Sequence, residues 1–358
     1  MSDDVTSSDP TPAGAPAARA ARTAAVAAFL DSVGARPQDR RLLGELLGTV
    51  ADLAADRPDT LDLKIAASAL AEMRSAYRTF APWDAVPKVT VFGSARTRPD
   101  DPLYVQARAV AAELAAAGWM VVTGAGPGIM AAAMEGTGRE RSIGVNIRLP
   151  FEQQANPIIA GDAKLVSMKY FFTRKLMLMK ESKAFVCLPG GFGTMDETYE
   201  LLTLTQTGKG MPVPIVFLET PGDHYWQRVL EFMRTELVAR ALVQPADLEL
   251  FHICNDPAAA VVEIERFYRV YDSLRFVGDW LVLRLRHVPA AAQLDELNER
   301  FAAIVTSGHI EACEPMREEV TDGDRLDLPR LRLRFDRRSW SELHRLIVAL
   351  NDTAPAAA

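Results

Sequence analysis

The sequence is poor in the residues that staple small folds or hold metals. Its 358 residues include three cysteines, Cys187, Cys254 and Cys313, far apart and odd in number, and five scattered histidines. No CxxC pair and no Cys/His cluster with metal-ligand spacing occurs. A disulfide framework or structural zinc site does not fit this pattern, so no metal is expected, and a reducing cytosol fits best. Long apolar runs are also missing. None approaches the roughly 18–20 residues that span a bilayer. The chain begins Met1-Ser2-Asp3-Asp4, whereas a secretion signal needs basic residues followed by an apolar stretch. A cytoplasmic protein with no membrane partner is the expectation. Positive charge is in deficit too, with a formal net charge of −7. Binding a nucleic acid polymer needs a basic face that displaces counterions, so no such partner is expected. A small anionic ligand is still allowed, because local amides and a few cations suffice to hold one.

What is present is enough for two domains, or one large core with extensions. Residues 1–19 are Ser, Thr, Pro, Ala, Gly and Asp with little to bury, and read as a disordered tail. Residues 20–87 form a helical segment. Phe29, Val33, Leu42, Leu43, Leu46 and Leu47 fall at helical spacings, as do Leu63, Ala66, Ala67, Leu70 and Met73. These helices pack either on the core or on a partner subunit.

The texture changes at Lys88. Short apolar runs alternate with amphipathic ones over residues 88–272. Strands are predicted at Val89–Phe92, Trp119–Thr123, Ser142–Ile147, Leu165-Val166, Ala184–Leu188 and Pro214–Leu218. Helices are predicted at Pro102–Ala117, Ile129–Glu135, Met168–Ser182 and Met195–Thr207. The helix from Met168 carries an apolar stripe at Met168, Phe172, Leu176 and Met179. Continuous apolar strands alternating with helices indicate an α/β fold with a parallel sheet covered on both faces. Ligands bind such sheets at the carboxyl ends of the strands. Residues 278–352 read as a small α+β appendage, followed by a short tail at 353–358. Leu281, Leu283 and Leu285 alternate with Val282, Arg284 and Arg286, and Leu331, Leu333 and Phe335 alternate with Arg330, Arg332 and Arg334. That period predicts one covered and one exposed face. The exposed, arginine-bearing face is solvated, contacts another subunit, or binds an anionic effector.

Two glycine-rich segments join strands to helices at the ligand-binding edge. The first is Thr123-Gly124-Ala125-Gly126-Pro127-Gly128. Glycines permit close backbone approach, and the helix that follows offers N–H groups and a positive dipole end to an anion. A packing turn explains the same residues. No Gly-Lys-Ser/Thr follows, and Met130 or Ala131 occupies the third glycine position of a dinucleotide fingerprint. The second segment is Pro189-Gly190-Gly191-Phe192-Gly193-Thr194-Met195-Asp196-Glu197. Its amides and the Thr194 hydroxyl suit a phosphate. The rival reading is a capping box, with Thr194 at the N-cap and Glu197 reaching back. Upstream, Arg174-Lys175 lies off the apolar stripe of its helix. It is either a solvated basic edge or a grip on phosphate or sugar.

Together these segments resemble the LOG ("Lonely Guy") family of cytokinin-activating nucleoside 5'-monophosphate phosphoribohydrolases and related bacterial nucleotide nucleosidases. Pro189–Glu197 matches its PGGxGTxxE motif, and Arg174-Lys175 its upstream Arg-Lys pair. Gly93-Ser94 resembles its first strand–helix turn and Gly124–Met130 its second. Ser142–Ile147 with Leu149-Pro150 and Glu152-Gln153 resembles the longer bacterial branch. The resemblance covers about 88–271. It implies a Rossmann-like doubly wound sheet, a homodimer or larger assembly with sites near the interface, and no cofactor. It also implies hydrolysis of a nucleoside monophosphate, such as AMP or an N6-modified AMP, to free base and ribose 5-phosphate. Carried over, Arg174 and Glu197 are catalytic. Gly190, Gly191, Gly193 and Thr194 hold the phosphate, while Ser94, Gly124, Gly126 and Lys175 complete the substrate site. Many long members carry Glu and Asn where Ala131 and Met134 stand here, which bears on base or sugar specificity.

In the expected chemistry, Glu197 stabilises the positive charge that develops at the anomeric carbon and takes a proton from attacking water. Some family members are named lysine decarboxylases. That chemistry needs a Schiff-base lysine, and nothing marks Lys175, Lys180 or Lys183 as one. The alternative functions are a non-catalytic nucleotide or phosphate-ligand carrier like the molybdenum cofactor carriers, and an NAD(P) enzyme, which the broken fingerprint disfavours.

Overall fold

The computed structural model describes residues 15–148 and 155–353, with side chains from Ala20 onward. The expected tail over 1–14, the Leu149-Pro150 and Glu152-Gln153 resemblance, and residues 354–358 lie outside that description. Two compact units divide at Ser68/Ala69. The first contains α1 (Ala15–Ser32), α2 (Arg40–Asp56) and the start of α3 (Thr60–Phe80). Helix α1 begins inside the stretch read as tail, because its alanines are the strongest helix formers and need no burial to favour the helix. Arg22 pairs with Asp52, and Arg40 with Asp31 at 2.8 Å. Leu30 is buried, but Phe29, Val33, Leu42 and Leu46 are exposed.

The second unit is built on a seven-stranded sheet. Its strands are β1 (Lys88–Phe92), β2 (Met120–Thr123), β3 (Ser142–Ile147), β4 (Leu165–Met168), β5 (Ala184–Cys187), β6 (Ile215–Leu218) and β7 (His252–Cys254). They run β4-β3-β2-β1-β5-β6-β7, with every neighbouring pair parallel. This is the doubly wound arrangement. The chain winds outward from β1 through β4, then returns to the centre and winds the other way from β5.

Helices α4 (Pro102–Ala116), α5 (Ile129–Thr137) and α9 (Pro257–Phe267) cover one face, where Val110, Leu114, Ile129 and Ile264 pack on Val89, Val91 and Val121. The end of α3 covers the other face with α6 (Phe171–Lys180), α7 (Phe192–Gln206) and α8 (Tyr225–Phe232), through Phe80, Met177, Leu178, Leu201 and Trp226. Burial on both faces is why the strands are continuously apolar. Local signals set the helix starts. Asp101, for example, accepts from the Leu103 N–H at 2.8 Å ahead of Pro102.

Two apolar stripes turn out to face the other way. Helix α6 starts three residues later than predicted, because Met168 still pairs with Ile147 in the sheet. Its buried face is Thr173, Arg174, Met177 and Leu178, and the predicted stripe residues Phe172 and Leu176 are exposed. On α3 the buried residues are Ala69, Glu72, Ala76 and Phe80, whereas Leu63 and Leu70 are exposed. In both helices buried polar bonds, described below, fix the rotation about the helix axis.

The appendage begins earlier than expected, at Tyr271. Strand β8 (Tyr271–Val277) turns at Gly278 into β9 (Trp280–Leu285), and α10 (Ala291–Arg300), β10 (Glu311–Cys313), α11 (Arg317–Asp322), β11 (Arg330–Leu333) and α12 (Trp340–Asp352) follow. Its antiparallel sheet runs β10-β11-β9-β8. Leu281, Leu283, Leu331 and Leu333 pack under α10 and α12. The arginine face is solvated only in part: Arg286 is exposed and Arg332 and Arg334 are half-buried, whereas Arg284 and Arg330 are buried. Glu319 of α11, wholly buried, accepts from Arg284 Nε and Nη2 at 3.0 and 2.8 Å and from Arg330 Nε at 3.2 Å. Asp324 adds a 2.6 Å bond to Arg284. A polar helix covers this part of the face, so at Arg284 and Arg330 the period-two pattern reports charge pairing and not solvent exposure. Asn351 of α12 ties the appendage to the α/β domain, bonding Val270 N at 2.7 Å and Phe267 O at 2.6 Å.

Candidate active site

Because the winding reverses between β1 and β5, the loops after these two strands separate and open a crevice at their carboxyl ends. The cleft there has a volume of about 770 Å³. Ser94, Gly124, Gly190, Gly191, Gly193 and Thr194 line it, together with Arg174 and Glu197.

The glycine turns interlock. A Cβ on Gly190 would lie 2.2 Å from Thr194 Oγ1 and 3.0 Å from the Ser94 N. Gly128, at φ +65°, passes so close to the first turn that a Cβ would meet Ser94 O at 2.3 Å. Gly191 and Gly193, by contrast, have open space where a Cβ would stand. These two glycines leave the N-terminus of α7 bare toward the cleft, where the first N–H groups of a helix have no carbonyl partner within the helix.

Helix α7 starts at Phe192 with Gly191 as its N-cap, and no side chain caps it. Thr194 and Glu197 are therefore one turn apart inside the helix, and the capping-box reading fails. Thr194 is buried, and Glu197 projects toward α6. There the Arg174 Nη1 donates to Glu197 Oε1 at 3.3 Å, while Arg174 Nε donates to Val145 O at 2.9 Å. Burial pushes the Glu197 carboxyl up to about 7, against the opposing pull of Arg174 and Lys175. Burial likewise lowers the pKa of the Arg174 guanidinium, with Glu197 opposing. Gly124 makes room for this arginine: a Cβ there would stand 1.9 Å from Arg174 Nη2.

Two expected site residues are elsewhere. Lys175 points to the far side of α6, its Nζ held by Asp196 and Glu200 at 2.7 Å each. Gly126 is buried behind the turn. Its carbonyl accepts from Asn156 Nδ2 at 3.1 Å, and Asn156 N donates to Ala125 O at 2.8 Å. Asn156 thus braces a turn in which Ala125 adopts φ +57°, unusual for a residue with a Cβ. The sequence carries no signal for that role.

It also carries none for Tyr225, whose hydroxyl donates to Gly190 O at 2.7 Å from α8. Arg96, Met130, Phe171 and Phe192 line the cleft as well. The Phe192 side chain is almost fully exposed. It occupies the variable position of the glycine motif, the only hint of its place at the mouth.

Residues 128–264 match the family described as "Possible lysine decarboxylase". A probable cytokinin riboside 5'-monophosphate phosphoribohydrolase of Oryza sativa subsp. japonica is 26% identical over 141 residues, 39% of this chain and 54% of that protein. One of Arabidopsis thaliana is 33% identical over 107 residues, 30% of this chain and 50% of that protein. The chain spans about half the length of these curated relatives. Among solved structures, the molybdenum cofactor carrier protein of Chlamydomonas reinhardtii superposes with a TM-score of 0.36 at 20% identity, covering 51% of this chain and 97% of that one. A superposition that loose says nothing about ligands. The sequence matches and the paired Arg174 and Glu197 point the same way: over residues 128–264 the α/β domain of this chain is similar to the LOG phosphoribohydrolases.

Proposed function

We propose that this protein hydrolyses the N-glycosidic bond of a nucleoside 5'-monophosphate, AMP or an N6-modified AMP of the cytokinin type, releasing free base and ribose 5-phosphate. The observation that carries the reading is the buried Arg174–Glu197 pair beside a bare helix N-terminus in one cleft. The α7 amides and the Thr194 hydroxyl suit the phosphate. Holding it places the ribose over the carboxylate, so remote binding energy orients the reacting carbon. As the C1'–N bond breaks, positive charge grows on C1', and the ionised Glu197 stabilises it. Water forms the new C1'–O bond and gives its proton to Glu197, and the base nitrogen, which leaves with the bonding pair, takes up a proton. A carboxyl pKa near 7 lets Glu197 accept and return that proton at neutral pH. Arg174 holds the carboxylate in place and faces the sugar.

A decarboxylase using pyridoxal phosphate does not fit these residues. No lysine is among the described residues that line the cleft, and Lys180 is paired with Glu181 away from it.

A groove lined by exposed Phe172 and Leu176 and half-buried Met179 on α6, with half-buried Tyr199 and Leu204 on α7, adjoins the cleft through Phe171. This is where we place a second copy of the chain in a homodimer. Light scattering would check the mass, which a charged substitution at Leu176 should halve.

The deciding experiment incubates the protein with a panel of nucleoside monophosphates and their nucleosides. Free base and ribose 5-phosphate should appear from the monophosphates. Adenosine should turn over worse than AMP by on the order of 100-fold or more, the value of two charge-assisted hydrogen bonds to phosphate. Equal turnover of adenosine would refute the scheme, and binding without product release would leave a carrier.

A further inference from the structure

The helix that carries Arg174 has no capping side chain of its own. Tyr170 occupies the N-cap of α6 and offers no side-chain bond. The group that meets this helix end comes from α3, in a part of the chain that precedes the family match. Glu72 Oε1 accepts from Lys169 N at 2.7 Å. Glu72 Oε2 accepts from Thr173 Oγ1 at 2.7 Å and makes a long 3.5 Å contact with Tyr170 N. Glu72 is 6% exposed. Burying a carboxylate is costly unless donors meet it, and here the donors and the positive end of the α6 dipole offset that cost.

Thr173, wholly buried, is the residue immediately before Arg174. Two bonds from opposite sides therefore fix the turn that carries the guanidinium. Glu72 holds Thr173 from α3, and Val145 O holds Arg174 Nε from β3. The same contact sets which face of α6 turns inward, the rotation that its apolar residues failed to indicate.

We propose that Glu72 is a positioning residue that acts through α6 to hold Arg174 against Glu197. This rests on the nucleotide-hydrolysing reading above. A cap that served stability alone would lower the melting temperature and leave the turnover of each folded molecule unchanged. A positioning residue changes turnover, and only when Arg174 is there to be positioned.

The test uses the full chain with Glu72→Ala and Glu72→Gln, each alone and combined with Arg174→Ala, and AMP as substrate. Glu72→Ala should lower kcat by about tenfold to 100-fold, the range expected for displacing a reacting group by a fraction of an ångström to one ångström. KM should stay within about threefold, since the phosphate amides are untouched. Glu72→Gln keeps an acceptor for the Lys169 N–H and should lose less. In the Arg174→Ala background, Glu72→Ala should change kcat by no more than about twofold, the scatter of uncoupled sites. An unchanged kcat in Glu72→Ala, or an equal loss in both backgrounds, overturns the proposal. If Glu72→Ala does not fold, Glu72→Gln carries the same comparison. Hydrogen exchange over residues 171–180 gives a readout independent of turnover, and these amides should exchange faster in either variant. If the parent chain releases no base, the nucleotide reading has failed, and the exchange measurement alone decides whether Glu72 anchors α6. Unchanged exchange there would overturn the anchoring.

Discussion

Glu197 Oε1 stands 3.3 Å from Arg174 Nη1, yet its carboxyl is pushed up to about 7, because burial outweighs the neighbouring guanidinium. If the ionised form works, kcat/KM for a nucleoside monophosphate should rise with pH through about 7 and level off above it. Glu197→Gln should lose about 100-fold to 1000-fold in kcat, typical of removing one preorganised electrostatic group, along with that pH limb. Stability has the opposite sign. A carboxyl with a raised native pKa contributes most below its unfolded value of 4.5, and the contribution is lost as pH rises through about 7. Thermal melts of the parent and Glu197→Gln, compared across this window, should show the parent losing ground as pH rises. Full activity in Glu197→Gln would remove the carboxylate from the mechanism.

Gly124 and Arg174 compete for the same space. Gly124→Ala puts a methyl group 1.9 Å from where Arg174 Nη2 now lies, so the guanidinium must move. The expected result is a fall in kcat on the order of 100-fold, as for misplaced reacting groups. Steady-state kinetics with circular dichroism as a folding control would check it. Unaltered kcat would show that the arginine has freedom to shift.

Glu319 holds two buried arginines in the appendage. Glu319→Ala leaves Arg330 buried without its carboxylate and Arg284 with Asp324 alone, and should destabilise by about 3–5 kcal/mol, the cost of breaking a buried pair. Replacing all three with leucine-like residues should cost much less, because no orphaned charge remains. Denaturant melts of both variants distinguish the outcomes, and equal losses would contradict the argument.

His344 of α12 is buried against Phe267, with ring centroids 5.2 Å apart. Burial lowers its pKa to about 4. A depressed histidine contributes stability above its unfolded value of 6.5, and the contribution is lost as pH falls through about 4. His344→Phe should therefore resist acid better than the parent over this window, by up to about 3 kcal/mol. Identical acid unfolding curves would show that the histidine protonates without cost.

Periodicity and motif together made the α/β core readable. Ser142–Ile147 is a strand with the predicted limits, and both glycine segments lie at a carboxyl edge of the sheet, because apolar runs and glycine turns are local properties. Burial was harder to read. The arginines at 284 and 330 follow the pattern of an exposed face and are buried, since their partner is a carboxylate 35 and 11 residues away, on another element. Lys175 adjoins Arg174 in sequence, but a helix turns successive side chains about 100° apart, so only one of them faces the cleft.

The chain's own residues determined the parallel sheet, the two glycine turns and the presence of a carboxylate and a guanidinium near them. All of these depend on neighbours a few positions away. The tertiary structure decided that β1 lies beside β5, that Gly124 yields its space to Arg174, and that Glu72 on α3 meets α6. Each of these depends on groups far apart in the chain, whose pairing is set by packing and buried polar bonds that no local pattern encodes.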